Sequence, residues 1–184
     1  MLPAPTALTT ERLALRRPRL EDAAAVFAYA GDPEATRLMG WPMHRGIEDS
    51  RSFLAFALGE WAEHGIGAYL IERDGAVLGS TGLELRDPST AITGYILLPQ
   101  AWGRGYATEA CRAMLRLGAE LRLSRIEAHC HHAHAVSARV LEKSGMRFEC
   151  LIERHTVFPN LAPEPQRVRR YAWGAGAEPG GGSG

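Results

Sequence analysis

Two short stretches of this chain hold residue types whose spacing could do chemistry. The first is Gly94–Ala110, GYILLPQAWGRGYATEA. An apolar run ends at Leu98-Pro99, a loop with Gly103 and Gly105 follows, and a helical pattern opens near Arg104. Glycine lets backbone turn tightly and approach a ligand closely. The N–H groups that open a helix have no intrahelical partner and sit at the positive end of its dipole, an arrangement that receives an anion such as a pyrophosphate. The stretch is not a Walker loop, because no Gly-Lys-Ser/Thr follows. It is not a dinucleotide fingerprint either, because Thr108 stands at the third glycine position. A tight structural turn is the competing reading.

The second stretch is His129-Cys130-His131-His132, with His134 beyond it. On a strand, His129 and His131 share one face, and Cys130 and His132 share the other. A tetrahedral metal site would need the run to fold on itself or a ligand from elsewhere. We therefore expect no metal, and read these as polar strand-end residues lining a cleft, with His129 a weak candidate base. Covalent thiol chemistry is disfavoured too. Cys111 lies on an apolar helical stripe, and nothing in the sequence places an activating base beside Cys130 or Cys150.

The elements that must position these residues mix two periodicities. Thr10–Arg16 alternates like a strand, and Leu20–Ala30 is helical with Glu21 and Asp22 near its start. Ile47–Glu63 repeats apolar residues at helical spacing and stops before His64-Gly65. Ala68–Glu72, Val77–Leu85 and Ile92–Leu98 read as an antiparallel meander turning at Asp74-Gly75 and Asp87–Thr90. Arg104–Leu121 is the longest helix. Arg125–Cys130, Met146–Glu153 and Val168–Trp173 are strands, and Ala135–Ser144 is a helix. The fold class is α+β, with a βαβ crossover in the later half.

With 184 residues and 46% hydrophobic content, the chain is long enough for one domain with a buried core. We place that domain at residues 1–173, before a Gly-rich tail, 174–184, expected to be disordered; Met1–Pro5 is expected to be loose. A formal net charge of zero removes the simplest argument for nucleic acid or an anionic membrane as partner. No apolar run approaches the length of a membrane span, and the start lacks the marks of a signal peptide. Three scattered cysteines suggest reduced thiols in a cytoplasmic protein.

Gln100-Ala101-Trp102-Gly103-Arg104-Gly105 resembles the Gln/Arg-x-x-Gly-x-Gly/Ala signature of the Gcn5-related N-acetyltransferases (GNAT). The longer string from Gly94 to Ala110, the block Ser137–Met146 (SARVLEKSGM) and the opening TERLALR resemble the RimJ/RimL-like subgroup, the ribosomal-protein-alanine acetyltransferase type. The likeness runs from about Leu8 to Tyr171 in the expected order. It implies a mixed, V-splayed central sheet of about seven strands with helices on both faces. Acetyl-CoA would be wedged between strands 92–98 and 125–130. The backbone of Gly103, Arg104, Gly105, Tyr106, Ala107 and Thr108 would hold the pyrophosphate. Ile96, Leu97 and Leu98 would pair with the pantetheine and polarise the thioester, the kind of fixed electrostatic help that is usually the largest catalytic contribution. His134 stands where the family usually has a cofactor-contacting Asn, and Ser137 where the subgroup has its acid toward the leaving thiolate.

The chain departs from the subgroup at Ile92, where a Glu often serves as general base. Glu84 is the nearest carboxylate. If Asp87–Thr90 is the loop, Glu84 pairs with Thr93 on the face opposite Ile92, which makes it a weak candidate; a one-residue slip would reverse that. A site without a base predicts activity that rises toward alkaline pH as the amine deprotonates, and favours α-amines over more basic alkylamines. Glu109 reads as structural. Trp41-Pro42 either lines the acceptor pocket or caps the core. Arg167, Arg169 and Arg170 read as a solvated strand edge.

The resemblance implies an enzyme that moves an acetyl group from acetyl-CoA directly to a primary amine, a protein N-terminus or a small molecule. Acetyl-CoA and the amine are its expected partners, without nucleic acid, membrane or metal, and a homodimer is allowed for. The competing classes are a catalytically silent acyl-CoA-binding regulatory or interaction module, supported by Ile92, and a His/Cys metal-binding protein.

Overall fold

Strand alternation and a few helix stops set most of the architecture. The structure, a computed structural model, describes residues 3–174. In chain order the elements are β1 (Ala7–Thr9), β2 (Ala14–Arg16), a 3-10 turn (Leu20–Asp22), α1 (Ala23–Ala30), α2 (Pro33–Thr36), α3 (Ile47–His64), β3 (Ala68–Arg73), β4 (Ala76–Asp87), β5 (Thr90–Leu97), a 3-10 turn (Pro99–Ala101), α4 (Tyr106–Glu120), β6 (Arg125–His131), α5 (Ala135–Ser144), β7 (Arg147–Phe158) and β8 (Ala162–Gly174). The strands form one mixed sheet in the order β1-β2-β3-β4-β5-β6-β8-β7, and only β5–β6 is parallel. Both sheet faces carry helices, as expected for the α+β class. Among the described residues no helix is long and apolar enough to cross a membrane.

The eight strands exceed the expected seven because the first one is broken. Thr10 turns the chain: its Oγ1 accepts from Leu13 N at 3.0 Å and donates to Glu109 Oε1 at 2.6 Å, leaving β1 and β2 as a short hairpin. Residues near the start are docked rather than loose. Ala4 is buried and donates to Gly65 O at 2.8 Å, while Tyr69 Oη donates to Pro5 O at 2.6 Å. The tail expectation falls, beyond Gly174, outside the described residues.

The C-terminal strands are longer than their sequence pattern suggested. Pro163 and Pro165 argue against a strand, yet both lie in β8. Only Val168–Gly174 of β8 pairs with β6, so its earlier half has one free side on which a missing N–H costs nothing. This hairpin inserts β8 between β6 and β7, so the Arg167, Arg169 and Arg170 segment is no sheet edge. Arg167 instead pairs with Glu153 at 2.9 Å, Arg169 donates to His132 O at 2.9 Å, and Arg170 pairs with Glu149 at 3.0 Å.

Two apolar cores sandwich the sheet. The larger gathers Leu15, Leu83, Ala91 and Leu97 under the buried stripe of α4, including Cys111, Met114 and Leu117. Each such fully buried Leu or Met contributes roughly 1.5–3 kcal/mol. The smaller core sits under α1 and α3 and contains Val26, Leu54, Leu70 and Ile96. Alternation along β5 thus sends Ala91 and Leu97 to α4 and Ile96 to the opposite face.

Candidate active site

β5 and β6 pair over only three residues, Thr90–Ile92 with Arg125–Glu127. Beyond that point the two strands part, and β5 runs on to Leu97 with its β6 side unpaired. Leu98 N donates to Leu78 O of the β4 segment at 2.8 Å. Alternation along the backbone therefore turns Leu97 toward the opening, where Trp102 Nε1 donates to Leu97 O at 2.9 Å.

At the mouth of this opening the chain turns through Gly103 (φ +72°) and Gly105 (φ +81°) into α4. These left-handed conformations are open to glycine at no steric cost. α4 has no side-chain cap, so its first N–H groups face outward as an anion site. The turn is braced from below. Arg12 Nη1 donates to Arg104 O at 2.9 Å, Arg12 Nε donates to Glu109 Oε2 at 2.7 Å, and its guanidinium lies 4.9 Å from the Tyr106 ring centre. Glu109 also accepts from Arg12 N and Thr10 Oγ1. Burial pushes the Glu109 carboxyl up, but these hydrogen bonds outweigh it and hold it below the ordinary range. Glu109 is structural, as its position in the sequence suggested.

Ser137, in the first turn of α5, faces β5. Its Oγ lies 2.9 Å from Tyr95 Oη, which also donates to Ser137 O at 3.2 Å. Burial holds the Tyr95 phenol well above its ordinary value, so it stays protonated. Sequence reasoning passed over Tyr95, treating Gly94-Tyr95 only as part of a motif; the parity of β5, which turns 95 to the same side as 91 and 97, was the available signal. His134 is the N-cap residue of α5 and is half-buried, and burial lowers its pKa.

On the α1–α3 side of β5 a cavity of about 920 Å³ opens. Apolar side chains, among them Val26, Met39, Trp41, Phe53 and Ile96, make most of its wall. Trp41 and Pro42 both line it, and Trp41 also packs on the smaller core. The titratable groups around the cavity are Tyr29, His44, Arg45, Asp49, Glu60, Glu84 and Tyr95. No local pattern pointed to His44 or Tyr29, because only the fold of α1 and the loop before α3 brings them to β5.

Two expectations change. Glu84 pairs with Ile92, not Thr93, because Arg86 is an extra residue in a β-bulge between Leu85 and Asp87. Glu84 and Ile92 therefore share a face, and both line the cavity. Glu127, the β6 partner of Ile92, flanks it on the other side. The His tract does not line this cavity. His129 stacks on His155 at 4.9 Å and His131 on Phe158 at 4.9 Å, packing against β7 instead. Among the described residues no group of three or more His, Cys, Asp or Glu could hold a metal. Lastly, burial pushes both the Cys111 and Cys130 thiols up to about 11, so neither is a thiolate near neutral pH.

An open mixed sheet splayed between two central strands, with an uncapped helix at the mouth and a cavity across the strand, has close counterparts. The chain matches the family model described as acetyltransferase (GNAT) domain over residues 12–147. It is 31% identical to the uncharacterized N-acetyltransferase YoaA of Bacillus subtilis over 166 residues, covering 88% of this chain and 93% of that one. Among solved structures, a GNAT-family acetyltransferase from Bacillus anthracis superposes with a TM-score of 0.80 at 26% identity, covering 91% of this chain and 98% of that one. RimL, a ribosomal L7/L12 alpha-N-protein acetyltransferase crystallised with coenzyme A, superposes at 0.81 with 18% identity, covering 95% and 99%. The class is therefore that of the acyltransferases. The chain belongs to the GNAT family of acetyltransferases.

Proposed function

We propose that this enzyme transfers an acetyl group from acetyl-CoA directly to a primary amine held in the cavity beside β5. The observation that carries the reading is the opening between β5 and β6 with the uncapped start of α4 at its mouth. The N–H groups of Gly103 to Thr108 take the pyrophosphate. Of the expected Ile96, Leu97 and Leu98 backbone, Leu97 N–H on the open side of β5 is the group that pairs with the pantetheine arm and polarises the thioester carbonyl. Leu98 N–H and O are taken by Leu78 O and Ala101 N–H, and Ile96 lies in the ladder with β4. His134, at the start of α5, lends the coenzyme a hydrogen bond.

The amine enters from the opposite face of β5, so nucleophile and thioester meet across one strand. As the C–S bond breaks, Ser137 gives its proton to the departing thiolate and is resupplied by Tyr95 Oη, 2.9 Å away. The silent-module reading rests on Ile92; the presence of a large, mainly apolar cavity with converging polar groups favours turnover. Coenzyme A bound in RimL supports the donor assignment. The three cysteines are unpaired, which fits a reducing, cytoplasmic setting.

Calorimetric titration with acetyl-CoA and a thiol-release screen over alkylamines, arylalkylamines and Ala- or Ser-starting peptides test the reading together. Saturable binding with amine-dependent thiol release is expected. Binding without release from any amine would leave the silent module standing.

A further inference from the structure

This inference deepens the acetyl-transfer reading and rests on it. A primary amine reaches the cavity from water near neutral pH mainly as the ammonium form, and ammonium has no lone pair to attack a thioester. A group must remove a proton, and the carboxylate position of the subgroup holds Ile92. Glu84, brought beside Ile92 by the bulge, is about half exposed and paired with Arg86 at 2.9 Å.

His44 is differently placed. It stands in the loop before α3, with its N–H bonded to Ala30 O at 2.9 Å. Its Nδ1 lies 2.9 Å from Oγ of Ser50, which is fully buried in the first turn of α3. Its ring packs between Trp41, at 5.6 Å, and Phe53, at 6.3 Å. The ring is thus held on three sides while forming part of the cavity wall. Nε2 has no hydrogen-bond partner among the described residues. Of the other nitrogen-bearing side chains that line the cavity, the Trp41 indole N–H only donates and Arg45 is permanently charged.

We propose that His44 is the proton acceptor for the amine. Nδ1–H donates to Ser50 Oγ, which fixes the tautomer and leaves the lone pair on Nε2. Nε2 takes one proton from the substrate ammonium. The neutral nitrogen then forms the N–C bond at the thioester carbonyl, its second proton departs to water, the C–S bond breaks, and the thiolate takes the proton of Ser137. His44 returns its proton to solvent and Ser137 recovers one from water through Tyr95, so the sum is ammonium plus acetyl-CoA giving amide, coenzyme A and one proton.

The surroundings suit this role. Burial lowers the His44 pKa, and the charge of Asp49 opposes that only in part. The remaining titratable groups around the cavity are Tyr29 on α1, Arg45 on the same loop, Glu60 on α3, Glu84 on β4 and Tyr95 on β5. The positive end of α3, three residues along the chain, also disfavours the imidazolium. The imidazole is therefore neutral, and able to accept, at physiological pH.

The test uses the full chain with saturating acetyl-CoA and either benzylamine or an Ala-starting peptide as acceptor. We expect kcat/KM to fall on the acid side with an enzyme pKa below the ordinary imidazole value. His44→Gln should remove that limb and lower kcat near pH 7 by about 10²- to 10³-fold, with acetyl-CoA affinity unchanged. Nitrogen NMR of the imidazole, which needs no turnover, should show the proton on Nδ1, and Ser50→Ala should release that tautomer. A wild-type limb that persists in His44→Gln, or a proton fixed on Nε2, overturns the assignment while leaving acetyl transfer intact. If the wild-type chain binds acetyl-CoA yet transfers to neither acceptor, the acetyl-transfer reading itself falls and takes this one with it.

Discussion

Ser137 and Tyr95 form a pair whose value depends on which one holds which proton. A hydroxyl flanked by a buried, protonated phenol can give up its own proton and be resupplied, which a lone early-helix serine bonded to backbone cannot do. Ser137→Ala should therefore lower kcat by about 10²-fold while acetyl-CoA affinity stays near that of the wild type. Tyr95→Phe should lower kcat less, because water can still reprotonate Ser137. Thiol release and calorimetry separate these effects: parallel losses in rate and affinity would mark Ser137 as a positioning group. The sequence pointed to Ser137 through its place in the SARVLEKSGM block. It could not point to Tyr95 Oη as its partner, because 42 residues separate the two and only the approach of α5 to β5 joins them.

The start of α4 and the register of β4 against β5 are decided at the level of elements. Gly105 carries φ +81°, and a β-carbon there would lie 3.3 Å from Arg12 Nη2. Gly105→Val thus imposes about 1–2 kcal/mol of backbone strain and crowds the Arg12 brace. We expect acetyl-CoA affinity to fall at least roughly tenfold, since that strain is relieved by tilting the very N–H groups proposed to meet the pyrophosphate. Unchanged affinity in calorimetry would count against the pyrophosphate assignment. The β4–β5 register shows how far a small local feature reaches. The Asp87–Thr90 turn was legible from its residue types, and Asp87 Oδ1 does accept from Ser89 N at 2.7 Å. The single extra residue, Arg86, was not legible, and it moved Glu84 from the face opposite Ile92 to the face beside it.

For the whole molecule, two carboxylates tie separate parts of the chain together. Asp22 takes both terminal nitrogens of Arg16, at 2.7 and 2.8 Å, while Arg16 Nε reaches Glu72 of β3 at 2.8 Å. Glu109 ties the β1–β2 turn to α4. The Arg16 hydrogen bonds hold the Asp22 carboxyl below its ordinary range, against the opposing effect of burial. Glu109 is lowered as well. A carboxyl whose folded pKa is depressed adds stability that is present above its unfolded pKa and lost as pH falls through the folded one. We therefore expect Tm to hold from neutrality to about pH 5 and to drop steeply below about pH 4. Asp22→Asn should cost about 1.5–3 kcal/mol at pH 7 and flatten the acid limb, as followed by thermal unfolding across pH. A variant with an unchanged acid limb would show that other carboxylates govern it.

By itself the sequence determined what short-range physics encodes: the α+β pattern, the strand–Gly-x-Gly–helix that builds the proposed donor end, the apolar stripe of α4, and the structural place of Glu109. Each depends on residues within one or two turns of helix or one pair of strands, where periodicity and glycine placement act directly. Tertiary structure decided the acceptor side. His44, Tyr29, Trp41 and Phe53 come from α1, α3 and their connection, and they meet Glu84, Ile92 and Ile96 only because the two elements fold over the same face of the sheet. The insertion of β8 between β6 and β7 likewise turned the His tract away from the cavity. No local periodicity records which distant element will cover a strand, because that choice is made by the packing of whole faces, and the reacting groups of the acceptor site are what those faces bring together.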